Sequence, residues 1–309
     1  MLPAATPRET VWTDDVTRLV RFRAARGAQT PVRGARPVVL LVGSLIERWL
    51  LFDVAPAGAW FPFGAPRASL AGALVAADLD VFALDWGPIQ TTHRDRGFGW
   101  PDAVAAIGRA RDAALAISGR SAGAVVGYSQ GATFAVIDAA LHPERLTALV
   151  NIGGPVDFSA PGLAALLTDA RWCDADAIAA FGGPPALPFM VRLPAETFRG
   201  WVKDFYQRNA LVAGGLRVGD RAVDLSRITA PLLTVLPAHD AVCPPASALA
   251  LAERVGSEVR DTLRVPGGHI SCVTGPAACD TLHPALARWL HAMAARAASR
   301  TPPPRGAAP

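Results

Sequence analysis

Gly127-Tyr128-Ser129-Gln130-Gly131 places a serine in a G-x-S-x-G pattern. That spacing suits a nucleophile on a tight strand-to-helix turn. The serine takes a strained backbone conformation that holds its hydroxyl above the sheet, and small residues on either side let strand and helix approach. The flanks agree: AVVGYS reads as a buried strand and GATFAVIDAAL as a helix. A serine hydroxyl is a weak nucleophile and needs a base that is itself held by an acid. Asp240 ends PLLTVLPAHD, and His269 follows TLRVPGG, giving the chain order Ser, Asp, His. Each lies where a loop leaves the C-terminal end of a strand, which is where sites form on open parallel sheets. In this constellation His269 takes the Ser129 proton, while Asp240 fixes the imidazole tautomer and stabilises the imidazolium.

An acyl-transfer site also needs two backbone N–H groups for the developing oxyanion. Gln130, at the start of the helix after the nucleophile, supplies one. Leu45, in the Gly43-Ser44-Leu45 loop after the first core strand, is assigned the other. Asp157, which follows the strand after the elbow, is the fallback acid. The remaining histidines fit structural places. His142 precedes Pro143 at a helix end, His239 comes before the acid, His283 and His291 sit in or beside the last helix, and His93 lies in a polar loop.

The elements that must position these groups alternate. PVVLLVG (37–43), DVFALDW (80–86), AGAVVGYS (122–129), LTALVNIGG (146–154) and APLLTVLPAHD (230–240) read as buried strands, separated by helical segments such as 101–118 and 130–143. This rhythm indicates a parallel sheet covered by helices on both faces. The expected organisation is an N-terminal extension outside the core (1–35), a core in two pieces (36–156 and 229–296), a cap insertion (157–228) and a disordered Pro/Ala-rich tail (297–309). The insertion interrupts the rhythm just after the strand following the nucleophile, and long insertions in compact domains tend to be functional.

Composition narrows the classes. Of 309 residues 51% are hydrophobic and 18% charged, enough for a large packed core. The net charge of +4 comes from scattered arginines with no basic run, so nucleic acid is not an expected partner. The four cysteines form no CxxC pair, which argues against a zinc site and for a reduced compartment. No apolar stretch approaches the roughly 18 residues a membrane span requires, and the N-terminus lacks a signal-peptide core, so a cytoplasmic location is expected.

The chain also resembles a known family, the polyhydroxyalkanoate synthases of the α/β-hydrolase superfamily. The segments that carry the likeness are LLVGSLIERWLLFDV, DVFALDWGP, GGPVDFSAPG, LPAETFRGWVKDFYQRNALVAGGLRVGDRAVDLSRITAP, HDAVCP and GGHI, spread over about residues 37 to 290. The resemblance implies the α/β-hydrolase fold, with its mostly parallel central sheet, and implies 3-hydroxyacyl-coenzyme A thioesters as the substrate class. It puts Ser129, Asp240 and His269 on the family's nucleophile, acid and base. Two departures stand out: the family's nucleophile is a cysteine, and the His often found after the acid is Ala241 here. A serine ester is a poorer acyl donor than a thioester, so Ser129 shifts the expectation from polymerisation towards hydrolysis or transfer to an alcohol.

The expected function is therefore a serine hydrolase of hydroxyacyl or apolar acyl esters or thioesters. The alternatives are a synthase-like acyltransferase and a non-catalytic granule-associated protein. Trp49, Trp60, Phe158, Trp201, Phe205 and Tyr206 are candidates to line an acyl channel. No metal or cofactor is expected, and coenzyme A enters only as part of a substrate. The expected partners are a small-molecule or oligomeric ester and, at most, a second copy of the chain.

Overall fold

The computed structural model describes residues 6–14, 17–24, 36–54, 68–87, 97–180 and 193–300. The strands are β1 (Arg8–Thr13), β2 (Arg18–Phe22), β3 (Val38–Val42), β4 (Asp80–Asp85), β5 (Gly123–Tyr128), β6 (Leu146–Ile152), β7 (Arg217–Val218), β8 (Arg221–Ala222), β9 (Leu232–Pro237) and β10 (Arg260–Val265). The helices are α1 (Leu70–Ala76), α2 (Trp100–Ile117), α3 (Gln130–Leu141), α4 (Leu163–Leu167), α5 (Ala175–Ala180), α6 (Ala195–Gly200), α7 (Ala210–Ala213), α8 (Pro245–Leu249), α9 (Ser271–Thr274) and α10 (Leu282–Arg300).

Eight strands form one sheet in the order β1-β2-β4-β3-β5-β6-β9-β10. From β4 to β10 every pairing is parallel, and β2 joins β4 antiparallel. The continuous apolar run of β3 is explained by its two faces. Val38, Leu40 and Val42 pack into the core beneath α2 and α3, whereas Val39 and Leu41 face the core beneath α1 and α10. A strand alternates sides residue by residue, so a strand covered on both sides is apolar throughout. Every residue of α3 is buried, which places the helix that follows Ser129 in the centre of the molecule.

Two expectations need correction. Residues 8–22 do not lie outside the core: β1 and β2 form a hairpin on the sheet edge, burying Leu19, Val20 and Phe22. The C-terminal helix does not stop at 297. It continues to Arg300, where Arg296 and Arg300 both bond Glu258. Among its described residues the insertion is made of short pieces: α4 to α7, a π-helical turn (Trp201–Gln207) after α6, and the small β7–β8 hairpin. No described helix is long and apolar enough to cross a membrane.

Candidate active site

Strand β5 runs straight into α3, and Ser129 is the corner. Its backbone sits at φ 53° and ψ −130°, outside the regions a non-glycine residue favours. The corner is held by the Ser129 N–H donating to Ile152 O (2.9 Å) and by Ser129 O accepting from Ala132 N (2.9 Å). The flanking glycines are steric necessities. A Cβ on Gly127 would meet Ala132 Cα at 2.4 Å, and one on Gly131 would meet Gly43 O at 2.4 Å.

Three loops then converge. His269 Nε2 stands 2.9 Å from Ser129 Oγ, and His269 Nδ1 stands 2.7 Å from Asp240 Oδ2. The Asp240 side chain is fully buried and that of His269 is 8% exposed. Asp240 Oδ1 accepts from the N–H groups of Val242 and Cys243, each at 2.8 Å, so the carboxylate is fixed by its own loop. A carboxylate on Nδ1 requires the proton there, which leaves the Nε2 lone pair for the serine hydroxyl. Beneath the imidazole, the Tyr128 ring lies 5.2 Å away, and its hydroxyl donates to His269 O at 3.1 Å. The nearby thiols are not competing nucleophiles. Burial raises Cys272 to about 12 and pushes Cys243 further still.

Sequence patterns did not reveal Gly153. At φ 55°, it faces the acid–base pair so closely that a Cβ would lie 3.3 Å from Asp240 Oδ2 and 3.4 Å from His269 Nδ1. Asn151 ties this turn down, exchanging two hydrogen bonds with the backbone of Gly154 (2.8 and 3.0 Å).

The loop after β3 completes the rim. Trp86 Nε1 donates to Gly43 O at 3.0 Å, and Arg48, at φ 60°, pairs with Asp85. These contacts give the DVFALDW strand end a purpose: it pins the loop that carries Leu45. Leu45 N points at the Gln130 side-chain oxygen across a long 3.5 Å. The two residues assigned to the oxyanion hole thus face each other beside Ser129. Glu47, two residues on, is a second, largely buried carboxyl of this loop that no sequence pattern marks. Burial raises it above the ordinary carboxylate range, against the opposing influence of the Ser44 side chain and the His269 ring.

The other candidates lie elsewhere. Asp157 accepts from Ser159 and from Asn209 Nδ2 (2.8 Å), and these bonds hold it below its usual range. It anchors the insertion and leaves the acid's place to Asp240. His142 is engaged by Asp138 and Arg221, His283 by Val273 O and His291 by Ala77 O. His239 is exposed, and His93 lies outside the described residues.

Phe158, Trp201, Phe205 and Tyr206 meet in one aromatic cluster with centroids 4.9 to 6.0 Å apart. Phe134 and Trp100 extend it. Phe158 and Phe205 are wholly core, whereas Trp201 and Tyr206 keep some exposed surface. Trp49 is separate from this cluster: it packs on Phe22 beneath the Arg8 guanidinium. Trp60 lies outside the described residues. Among the described residues no group of His, Cys, Asp and Glu is arranged to hold a metal. A concavity of about 530 Å³ lined by Pro37, Ser121, Pro231 and Met293 sits at the N-terminal ends of the strands, the opposite end from Ser129.

No family model matches the chain. It is 29% identical to the poly(3-hydroxyalkanoate) polymerase subunit PhaC of Allochromatium vinosum, over 92% of this chain and 88% of that one. To the corresponding subunit of Synechocystis it is 28% identical, over 92% and 84%. Among solved structures, the monoacylglycerol lipase of Paleococcus ferrophilus superimposes with a TM-score of 0.55 at 18% identity, covering 90% of this chain and 99% of the lipase. The thioesterase domain from the curacin biosynthetic pathway gives 0.52 at 15%, covering 93% and 99%. At these identities the structural likeness is one of fold.

Proposed function

We propose that this chain is a polyhydroxyalkanoate-synthase-like α/β-hydrolase that carries out serine-dependent hydrolysis of a hydroxyacyl or apolar acyl ester or thioester. One observation carries the proposal: an unbroken relay from Asp240 through His269 to Ser129, at 2.7 and 2.9 Å, with the serine on a strained elbow.

Ser129 Oγ attacks the acyl carbonyl as its proton passes to His269 Nε2, and Asp240 stabilises the imidazolium. The tetrahedral oxyanion is held by the N–H groups of Gln130 and Leu45, each such donor contributing about 10²- to 10³-fold in rate. His269 then protonates the leaving group and draws a proton from water, which attacks the acyl-serine. A serine ester is less activated than a thioester, so release to water or an alcohol is favoured over repeated return of a growing chain to the enzyme.

The polymerase relatives support a second reading, a synthase-like acyltransferase acting on hydroxyacyl-coenzyme A. Mass spectrometry of products from 3-hydroxybutyryl-coenzyme A, beside a Ser129→Ala control, separates the two. Free acid made only by the wild type supports the hydrolase. Oligomers made only by the wild type replace it with the synthase. Failure of a fluorophosphonate probe to label Ser129 would overturn both and leave a binding protein.

A further inference from the structure

Resting on the acyl-serine reading, we propose that Tyr128, helped by the Cys272 thiol, is a positioning residue for the base: it ties the His269 backbone to the strand that carries Ser129. Strand β5 alternates its side chains between the two faces of the sheet. Gly127 therefore lies against α3, while Val126 and Tyr128 point into the core beneath α1 and α10. The loop after β10 arrives on that second face, where Cys272 and Val273 of α9 join the same core. The Tyr128 ring is fully buried, and Phe52 meets it edge-on, 6.4 Å away at 84°, so its hydroxyl has a fixed direction. Burial also raises the phenol well above its usual range, which keeps it an O–H donor at ordinary pH.

His269 needs such a tie. It follows Gly267, at φ 97°, and Gly268, and a glycine pair is the freest backbone a chain can offer. Local bonds restrain each glycine. Gly267 O accepts from His239 N (3.0 Å), Gly268 N donates to Ser271 Oγ (2.9 Å), and Gly268 O accepts from Cys272 N (3.0 Å). At His269 itself the carbonyl oxygen takes two side-chain donors from different elements, Tyr128 Oη at 3.1 Å and Cys272 Sγ at 3.0 Å. A carbonyl oxygen has two lone pairs, so it can accept both. The thiol is the weaker donor, and it sits three residues from His269, so it moves with the base. Tyr128 instead reaches across from β5, one peptide bond from Ser129. The separation of nucleophile and base is then fixed at one rigid strand end and not left to the glycine loop. That is the pre-organisation a proton transfer across 2.9 Å requires.

The test compares the full wild-type chain with Tyr128→Phe, which deletes the hydroxyl and keeps the ring. With p-nitrophenyl butyrate the variant should lose about tenfold in kcat, with KM within about twofold and the melting transition lowered by no more than about 4 °C. The rate at which a fluorophosphonate modifies Ser129 should fall by a similar factor, because that attack uses the same base. The far-downfield proton resonance of His269 Nδ1–H, read by NMR on the resting enzyme, should broaden or vanish as the loosened ring exchanges with water. Cys272→Ala should show the same pattern to a smaller extent, and it carries the test should the phenylalanine variant fail to fold. A kcat within about twofold of wild type would overturn the proposal. So would a loss of kcat with the Nδ1 proton resonance unchanged, since the base would then be in place without the tie. A wild type that neither hydrolyses the ester nor takes the probe would remove the hydrolase reading instead, and the NMR comparison would still decide whether Tyr128 orders His269.

Discussion

Helix α3 has an aspartate–histidine pair at each end. At its N-terminus Asp240 and His269 meet beside Ser129. At its C-terminus Asp138 Oδ1 and His142 Nδ1 meet at 3.0 Å. In both pairs a buried carboxylate holds the Nδ1 side of the ring. The difference lies at Nε2. His269 faces a serine hydroxyl, a proton donor and, on the proposed mechanism, the nucleophile. His142 faces the Arg221 guanidinium at 2.8 Å, a permanent cation with no proton to give up at ordinary pH. On the proposed mechanism the same dyad is a proton relay in one place, and it is a clasp between α3 and the β7–β8 hairpin in the other. Asp138 also pairs with Arg111, whose side chain is 4% exposed, so its charge is committed to the core. The third partner decides what such a pair does.

Substitutions can break or sharpen this contrast. The largest effect is expected at the nucleophile. Ser129→Ala should lower kcat for a p-nitrophenyl ester by about 10⁵-fold or more, as removal of a triad serine does elsewhere. Asp240→Asn should cost about 10⁴-fold by favouring the wrong tautomer, with the melting transition little changed. Asp138→Asn should reverse that pattern. It leaves the buried Arg111 with only the half-exposed Asp112 carboxylate at 3.1 Å as a charge partner, so denaturant unfolding should show a loss of about 3 kcal/mol while kcat per folded molecule stays within about threefold. Equal losses of activity from the two asparagine variants would end the distinction. Gly153→Ala intrudes on the Asp240–His269 contact and strains a positive φ, and should lower kcat by about 10²-fold, since misplacements of that size at a reacting geometry have such effects. The smallest effect is expected for Arg221→Ala, below about 1 kcal/mol by thermal melting, because the guanidinium is exposed.

Much of the frame was legible because a two-sided parallel sheet writes unbroken apolar runs, and the candidate catalytic groups sit where those runs end. Ser129, Asp240 and His269 could be read from that rule together with chain order. The N-terminal hairpin could not. RETVWT is the exposed edge strand and RLVRF, the strand beside it, is interrupted by arginine, so neither carries the unbroken apolar run that marks the inner strands. Gly153 and Glu47 escaped for another reason. Their importance comes from what other loops bring within a few ångströms of them, and no local pattern encodes it. The aromatic candidates show the limit of composition. Phe158, Trp201, Phe205 and Tyr206 are neighbours, but aromatic content does not distinguish a channel wall from a packed core, and Phe158 and Phe205 are core. Asn209, in a left-handed conformation, supports both Asp157 and Phe158 N, which explains the cap-region motif as a backbone anchor.

The corner at Ser129 also sets catalysis against resilience. A non-glycine residue at φ 53° and ψ −130° carries a conformational penalty of about 1–3 kcal/mol that the surrounding packing must offset. Glycine adopts such angles freely. Ser129→Gly, which has no nucleophile, should therefore tolerate heat better than the wild type by a few degrees, once the larger unfolded-state entropy of glycine is deducted. The chain keeps a residue that weakens it at the one position where the weakness is useful, a trade familiar wherever selection acts on turnover more strongly than on durability.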